Sequence, residues 1–167
     1  MKIRILFIIF TLSVFLLGWK TNELVTDIGE INFENPWDQG FFKAPERPSP
    51  HDHIRKEQIK VYSDRVVLEI PNAMWAEFAD TRSMEPIIDA GSNSIEIRPQ
   101  SIADLHVGDI ISYKPTNFDG LIVHRIVETG FDNEGWYAIT KGDNLSRRDP
   151  YKVRFNQIHG VLVAIIY

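Results

Sequence analysis

The stretch of sequence that decides the fold class is LIVHRIVETGFDNEGWYAIT, residues 121–140. Two runs rich in β-branched and aromatic residues flank the segment GFDNEG (Gly130–Gly135), whose Gly, Asp and Asn residues favour a turn. Two strands joined by a short turn form a β-hairpin. The stretch therefore predicts an antiparallel strand pair.

Similar short runs continue over the rest of the chain from residue 60 onward. They are VVLEI (66–70), SIEIRP (94–99), DIISYK (109–114) and GVLVAIIY (160–167), each bounded by Gly, Pro, Asn or Asp. No stretch in this region sustains an apolar helical stripe for more than about two turns. We therefore predict that residues 60–167 form a mainly β, largely antiparallel domain.

The first 19 residues predict a transmembrane anchor. The segment 5–19 contains no charged residue, and cationic residues flank it on both sides. A cleaved signal peptide is the alternative, but the bulky Trp19 and the charged Lys20 stand where a cleavage site has small residues. We expect a single uncleaved span whose cationic N-terminal flank lies in the cytoplasm, so that everything after Lys20 is extracytoplasmic.

Residues 20–59 have no clear helical or strand period and contain four prolines, which is typical of a spacer. Its aromatic residues could alternatively pack on the domain or lie at the lipid interface. The triplet His51-Asp52-His53 has two imidazoles that could bind a metal, but such residues on a polar segment are usually solvated. We expect no metal and no cofactor.

Composition excludes several classes of function. The chain has 167 residues and no cysteine, which excludes a disulfide scaffold, a cysteine-based zinc site, an iron–sulfur cluster and a cysteine nucleophile. The formal net charge of −5 argues against nucleic-acid binding, which normally requires a basic excess. The Gly-containing loop TKGDN (140–144) lacks the pattern of a phosphate-binding P-loop.

Three places contain the residue types of a nucleophilic serine site. Ser83 lies in TRSMEP, His124 in LIVHRIV, and Asp143 and Asp149 in TKGDNLSRRDP. Each also has a structural interpretation: Ser83 could cap a turn, His124 could be a hydrogen-bonded core residue on an apolar strand face, and the acids could be solvated loop charges. A serine hydroxyl becomes a good nucleophile only when a base takes its proton and a carboxylate orients that base.

Four segments, in this order, resemble the boxes of type I signal peptidases. They are SMEP (83–86), VGDIISYK (107–114), VHRIV (123–127) and TKGDN (140–144), the last followed by Asp149. The similarity is greatest to the archaeal and endoplasmic-reticulum branch, in which His replaces the Lys base of the bacterial enzymes. The resemblance covers about residues 66–167 and implies the β-fold of the wider LexA/signal peptidase-like superfamily.

The resemblance also implies roles for individual residues. Ser83 would be the nucleophile, His124 the general base, Asp149 the acid that orients the base, and Asp143 a second, supporting acid. The side chain of Thr81 would join the Ser83 backbone N–H in an oxyanion hole. The family usually has Gly directly before the nucleophile, and this chain has Arg82, a residue that does not adopt a positive φ without cost.

The implied function is a membrane-anchored serine endopeptidase that cleaves signal peptides or other exported proteins. Its partners would be protein substrates and membrane lipid. A catalytically inactive membrane-tethered β-domain of the same fold is the first alternative. A LexA-like self-cleaving peptidase is less favoured, because it requires a Lys base and a DNA-binding helical domain.

Overall fold

The computed structural model describes residues 46–167. The predicted anchor at residues 1–19 and most of the predicted spacer at residues 20–59 lie outside the described residues. Among the residues that are described, no helix is both long enough and apolar enough to cross a membrane.

Nine strands and three single-turn 3-10 helices make up the described chain. The strands are β1 (Ile59–Val61), β2 (Val66–Leu68), β3 (Met74–Glu77), β4 (Asn93–Ile97), β5 (Ile110–Tyr113), β6 (Ile122–Asp132), β7 (Gly135–Lys141), β8 (Val153–Arg154) and β9 (Ile158–Ile166). The 3-10 turns are Lys56–Gln58, Ile102–Asp104 and Phe155–Gln157. All of the predicted strands are present, and the mainly β class is confirmed.

The strands form two antiparallel sheets. β1 and β2 form a small two-stranded sheet, and the other seven form a curled sheet in the order β3-β4-β9-β5-β6-β7-β8. The predicted hairpin joins β6 to β7, where Asp132 pairs with Gly135 across a two-residue turn. Gly135 has a φ of +101°, which explains the need for glycine at this turn.

Three strands were missed by the sequence analysis. β1, β3 and β8 have two to four residues each, and β3 and β8 contain one β-branched residue between them. β3 and β8 lie at the two edges of the large sheet.

Apolar residues pack on both faces of the large sheet. The larger cluster contains Leu105, Ile111, Tyr113, Ile126, Ala138, Val153, Ile158 and Val161. The smaller cluster contains Met84, Ile88, Ile110 and Leu162. Consecutive strand residues such as Ile110 and Ile111 enter different clusters, as strand alternation requires. The smaller cluster holds the connection between β3 and β4 against the sheet.

Residues 46–58, here called the strap, pack against the domain. The strap passes so close to Gly108 that a Cβ there would overlap the carbonyl group of Ser49 and lie 3.0 Å from its nitrogen. Gly108 also has a φ of +107°. In addition, the His51 backbone N–H donates to Asp109 Oδ1 at 2.8 Å. This part of the predicted spacer is therefore packed against the domain.

Candidate active site

Ser83 lies on the connection between β3 and β4, and its neighbours hold it in place. The next residue, Met84, is only 3% exposed and packs in the smaller apolar cluster. The loop after β7 contacts the same segment, because the Asn144 backbone N–H donates to the Ser83 carbonyl at 2.9 Å. The Asn144 side-chain amide donates to the Arg82 carbonyl at 3.0 Å. The TKGDN segment therefore fixes the backbone on which Ser83 stands.

Arg82 adopts a left-handed backbone conformation with a φ of +57°. For a residue with a Cβ this conformation costs roughly 1–2 kcal/mol, a cost that glycine does not incur. The Arg82 side chain is 74% exposed, and its Nε lies 3.6 Å from Asp80. The backbone at this position therefore has the conformation for which glycine is the favoured residue.

His124 lies on β6, where it pairs with Ile111 of β5. Its side chain is 9% exposed, and Nδ1 lies 2.6 Å from Asp149 Oδ2. Asp149 reaches this position because its backbone N–H donates to the Thr140 carbonyl at the end of β7. Strand pairing and one loop hydrogen bond therefore bring together a histidine and an acid 25 residues apart.

Asp149 Oδ2 accepts two further hydrogen bonds. Thr140 Oγ1 donates to it at 2.6 Å and the Tyr113 hydroxyl at 2.9 Å. Burial alone would raise the pKa of Asp149, but the hydrogen bonds from His124, Thr140 and Tyr113 outweigh burial and lower the pKa. An ionised carboxylate only accepts hydrogen bonds, so the imidazole proton lies on Nδ1 of His124. Nε2 is then free to accept a proton.

Burial, more than the neighbouring charge of Asp149, raises the pKa of the Tyr113 hydroxyl well above its usual range. Tyr113 is consequently a neutral hydrogen-bond donor at physiological pH.

Asp143 has a different partner. Arg125 donates to it through Nε at 2.8 Å and Nη2 at 2.7 Å, a bidentate pair. Arg125 also donates from Nη1 to the Gly108 carbonyl at 2.7 Å. Arg125 and His124 lie on opposite faces of β6. The ion pair with Arg125 therefore holds Asp143, and with it the TKGDN loop, on the face of β6 opposite to His124. Of the two candidate acids, it is Asp149 that contacts the histidine.

Ser83 and His124 line one cleft of about 410 Å³. Gly142 lies between them, since a Cβ at this position would be 2.6 Å from the Ser83 carbonyl oxygen and 3.0 Å from His124 Nε2. Ser83 Oγ is hydrogen-bonded to Thr81 Oγ1 at 3.2 Å. Within residues 46–167 no hydrogen bond joins Ser83 Oγ to His124. In enzymes without bound substrate this catalytic contact is often long.

The wall of the cleft is largely apolar, which suits an extended peptide with small or apolar side chains. The apolar residues on it include Phe78, Ala79, Ile88, Leu121, Val123 and Leu145. Thr81, the predicted oxyanion-hole residue, lies on the same wall beside Ser83.

Sequence reasoning assigned no role to four residues that organise this site. They are Tyr113, Arg125, Thr140 and Asn144. Each lies inside one of the segments that resemble the signal peptidase boxes. Membership of these segments was the only indication in the sequence that the four residues belong to the site. Their partners are set by strand register and loop packing, which the linear pattern does not contain.

In the triplet His51-Asp52-His53, only His53 departs from the expectation of solvated residues, and His51 is exposed. Asp52 is exposed, but the His53 side chain is 9% exposed and its Nε2 lies 3.2 Å from Asp109, which is fully buried. The strap brings this histidine onto the domain surface, and no pattern in the spacer sequence indicated that contact.

The described residues thus place Ser83 and His124 along one cleft, with Thr81 beside the serine hydroxyl and Asp149 hydrogen-bonded to His124. Comparisons of the chain with protein-family models, with curated proteins and with solved structures find no match.

Proposed function

We propose that the chain is a membrane-anchored serine endopeptidase similar to type I signal peptidases, which cleaves signal peptides or other exported proteins. The observation that supports this most directly is the hydrogen bond between His124 Nδ1 and Asp149 Oδ2, at a cleft shared with Ser83. A buried histidine that donates to an ionised carboxylate and lines the same cleft as a serine fits the arrangement that activates a hydroxyl nucleophile.

In the proposed reaction, Ser83 Oγ attacks the carbonyl carbon of the scissile peptide bond while His124 Nε2 takes the hydroxyl proton. The C–N bond then breaks, and His124 gives that proton to the leaving amine. Water, deprotonated by the same imidazole, hydrolyses the acyl ester and frees Ser83. Asp149 stays ionised throughout and stabilises the transient imidazolium.

The oxyanion of the tetrahedral intermediate requires hydrogen-bond donors. The Ser83 backbone N–H and the Thr81 hydroxyl are the proposed donors, and the Thr81 hydroxyl lies 3.2 Å from Ser83 Oγ. Removing one such donor typically slows an acyl-transfer reaction by ~10²–10³-fold.

The proposed location follows from the N-terminal sequence. An apolar segment over residues 1–19 with a cationic N-terminal flank would anchor the chain once, with residues after Lys20 on the extracytoplasmic side. A peptidase domain tethered there would meet exported proteins as they leave the membrane.

The decisive experiment is a cleavage assay with the full-length protein in detergent and a pre-protein that carries a small-x-small site. We expect cleavage by the wild type and by Ser63→Ala, a change of an exposed serine outside the cleft. We expect no cleavage by Ser83→Ala. Equal activity in Ser83→Ala would contradict the serine mechanism, and an inactive wild type would favour the non-catalytic β-domain.

A further inference from the structure

A second polar cluster lies under the strap, and it shares no residue with the cleft. It consists of His53 on the strap, His106 on the turn before β5, and Asp109 directly before β5. Their potential ligand atoms all lie within 4.8 Å of one another. His53 Nε2 is 3.2 Å from Asp109 Oδ1, and His106 Nδ1 is 3.6 Å from Asp109 Oδ2.

Asp109 is fully buried, and backbone groups hold its carboxylate in place. The His51 N–H donates to Oδ1 and the His106 N–H to Oδ2, both at 2.8 Å. The His51 ring also stacks on the His106 ring, with centroids 4.0 Å apart. The carboxylate and the His106 ring are therefore oriented before any ligand arrives, as supporting groups orient metal ligands.

Two nitrogen atoms of this cluster are buried without a hydrogen-bond partner. They are His53 Nε2 and His106 Nδ1. The His53 side chain as a whole is only 9% exposed, and its Nε2 approaches Asp109 without the geometry of a hydrogen bond. Buried polar atoms are nearly always paired, so these two nitrogens beside one carboxylate are suited to bind a ligand.

We propose that His53 Nε2, His106 Nδ1 and the Asp109 carboxylate bind a divalent transition-metal ion of the zinc type. Ligands about 2.0–2.2 Å from a tetrahedral ion are separated from one another by about 3.3–3.6 Å. His53 Nε2 is 3.2 Å from Asp109 Oδ1 and His106 Nδ1 is 3.6 Å from Asp109 Oδ2, so each nitrogen lies near that separation from one oxygen of the carboxylate. Two imidazoles favour zinc over magnesium or calcium, which prefer oxygen ligands. A water molecule would take the fourth position.

Such an ion would tie the strap to the domain. His53 precedes His106 by more than 50 residues, so one ion would cross-link two distant segments of the chain. The strap already contacts the domain at Gly108 and Asp109, and the ion would strengthen this attachment. An ion at this cluster would bind whether or not the chain is a peptidase.

The test uses the full-length protein in detergent, stripped with a chelator, and Zn²⁺ as the probe. Calorimetric titration should give one Zn²⁺ per chain, and Co²⁺ should give the visible absorption of a tetrahedral site. The thermal midpoint should rise with Zn²⁺ and fall again when chelator is added.

Single substitutions locate the site. His53→Ala and His106→Ala should weaken Zn²⁺ binding by at least 10–100-fold and abolish the thermal shift. His159→Ala, a change of a histidine on β9 outside the cluster, should bind as the wild type does. Absence of Zn²⁺ binding by the wild type would overturn the proposal, and so would unchanged affinity in His53→Ala.

Discussion

Single atoms distinguish the two acids of the candidate site. Asp149 Oδ2 accepts hydrogen bonds from His124, Thr140 and Tyr113, all within 2.9 Å. Both oxygens of Asp143 are occupied by the Arg125 guanidinium. Asp149 accepts from the imidazole N–H and thereby sets the tautomer of His124. Asp143 is held by the Arg125 guanidinium and stabilises the TKGDN loop. The two acids should therefore respond differently to the same substitution.

Asp149→Asn should reduce kcat/KM for pre-protein cleavage by roughly 10³–10⁴-fold, because the amide no longer holds His124 in the tautomer that accepts the serine proton. Asp143→Asn is the matched control, and we expect a loss of no more than about 10-fold, since Arg125 keeps one of its two hydrogen bonds. Steady-state kinetics of both variants would check this. Equal losses would contradict the assignment of the orienting acid to Asp149.

Asp149 should also make stability depend on pH in the acid range. Its pKa is lower in the folded protein than its ordinary value of 3.8, so the ionised form stabilises the folded state. That contribution is fully present above about pH 5 and is lost as the pH falls below 3.8 through the folded value. The difference in unfolding free energy between wild type and Asp149→Asn should shrink below pH 3.8. Urea unfolding at pH 7, 5 and 3 would measure it, and a constant difference would refute the linkage.

Among the secondary-structure elements, β9 carries a glycine that is required by packing against the neighbouring strand. It lies between β4 and β5 in the large sheet, and Gly160 on it faces the buried Glu96 side chain of β4. Glu96 Oε2 accepts a hydrogen bond from Ser112 Oγ at 2.6 Å. A Cβ at Gly160 would overlap that carboxylate oxygen and lie 3.0 Å from Glu96 Cβ. The glycine therefore makes room for a buried acid in the neighbouring strand.

Gly160→Ala should lower the free energy of unfolding by roughly 1–3 kcal/mol through overpacking. The same change in a Glu96→Ala background should cost less, because the clashing side chain is absent. Urea denaturation of the two single variants and the double variant forms the required cycle. Additive effects would show that the contact with Glu96 is not the cause.

On the scale of the whole molecule, the strap connects the N-terminal part of the chain to the domain that carries the cleft. Its backbone lies directly on Gly108, and the Gly108 carbonyl in turn accepts a hydrogen bond from Arg125, the residue that holds Asp143. A continuous chain of contacts therefore runs from the strap to the loop that braces Ser83.

Gly108→Ala should loosen the strap, because the added Cβ would overlap Ser49. Gly91→Ala is the matched control, since Gly91 has a positive φ of +82° but nothing within 4 Å of a new Cβ. We expect a cost of roughly 1–2 kcal/mol from backbone strain in the control and a larger cost in Gly108→Ala. Limited trypsin digestion should cut Gly108→Ala faster after Arg55 or Lys56. Equal stability and equal digestion of the two variants would contradict packing of the strap on Gly108.

Local sequence patterns were sufficient to predict part of the fold and of the candidate site. The run around His124 and the turn at Gly135 predicted the β6–β7 hairpin, because strand alternation and turn residues act within a few positions. The residue types at Ser83, His124 and Asp149 were likewise visible in the linear sequence. The edge strands β3 and β8 were not, because Met74–Glu77 and Val153–Arg154 are short and contain one β-branched residue between them.

The amino-acid sequence by itself determined the mainly β class, the hairpin and the candidate residue types, because these follow from the chemistry of neighbouring residues. Only the tertiary structure decided which acid meets His124, that Asn144 fixes the backbone at Ser83, and that His53 reaches Asp109. Each of these contacts joins residues 25 to more than 50 positions apart. Such pairings depend on strand register and on the packing of two sheet faces, and they arise only when the whole domain is assembled.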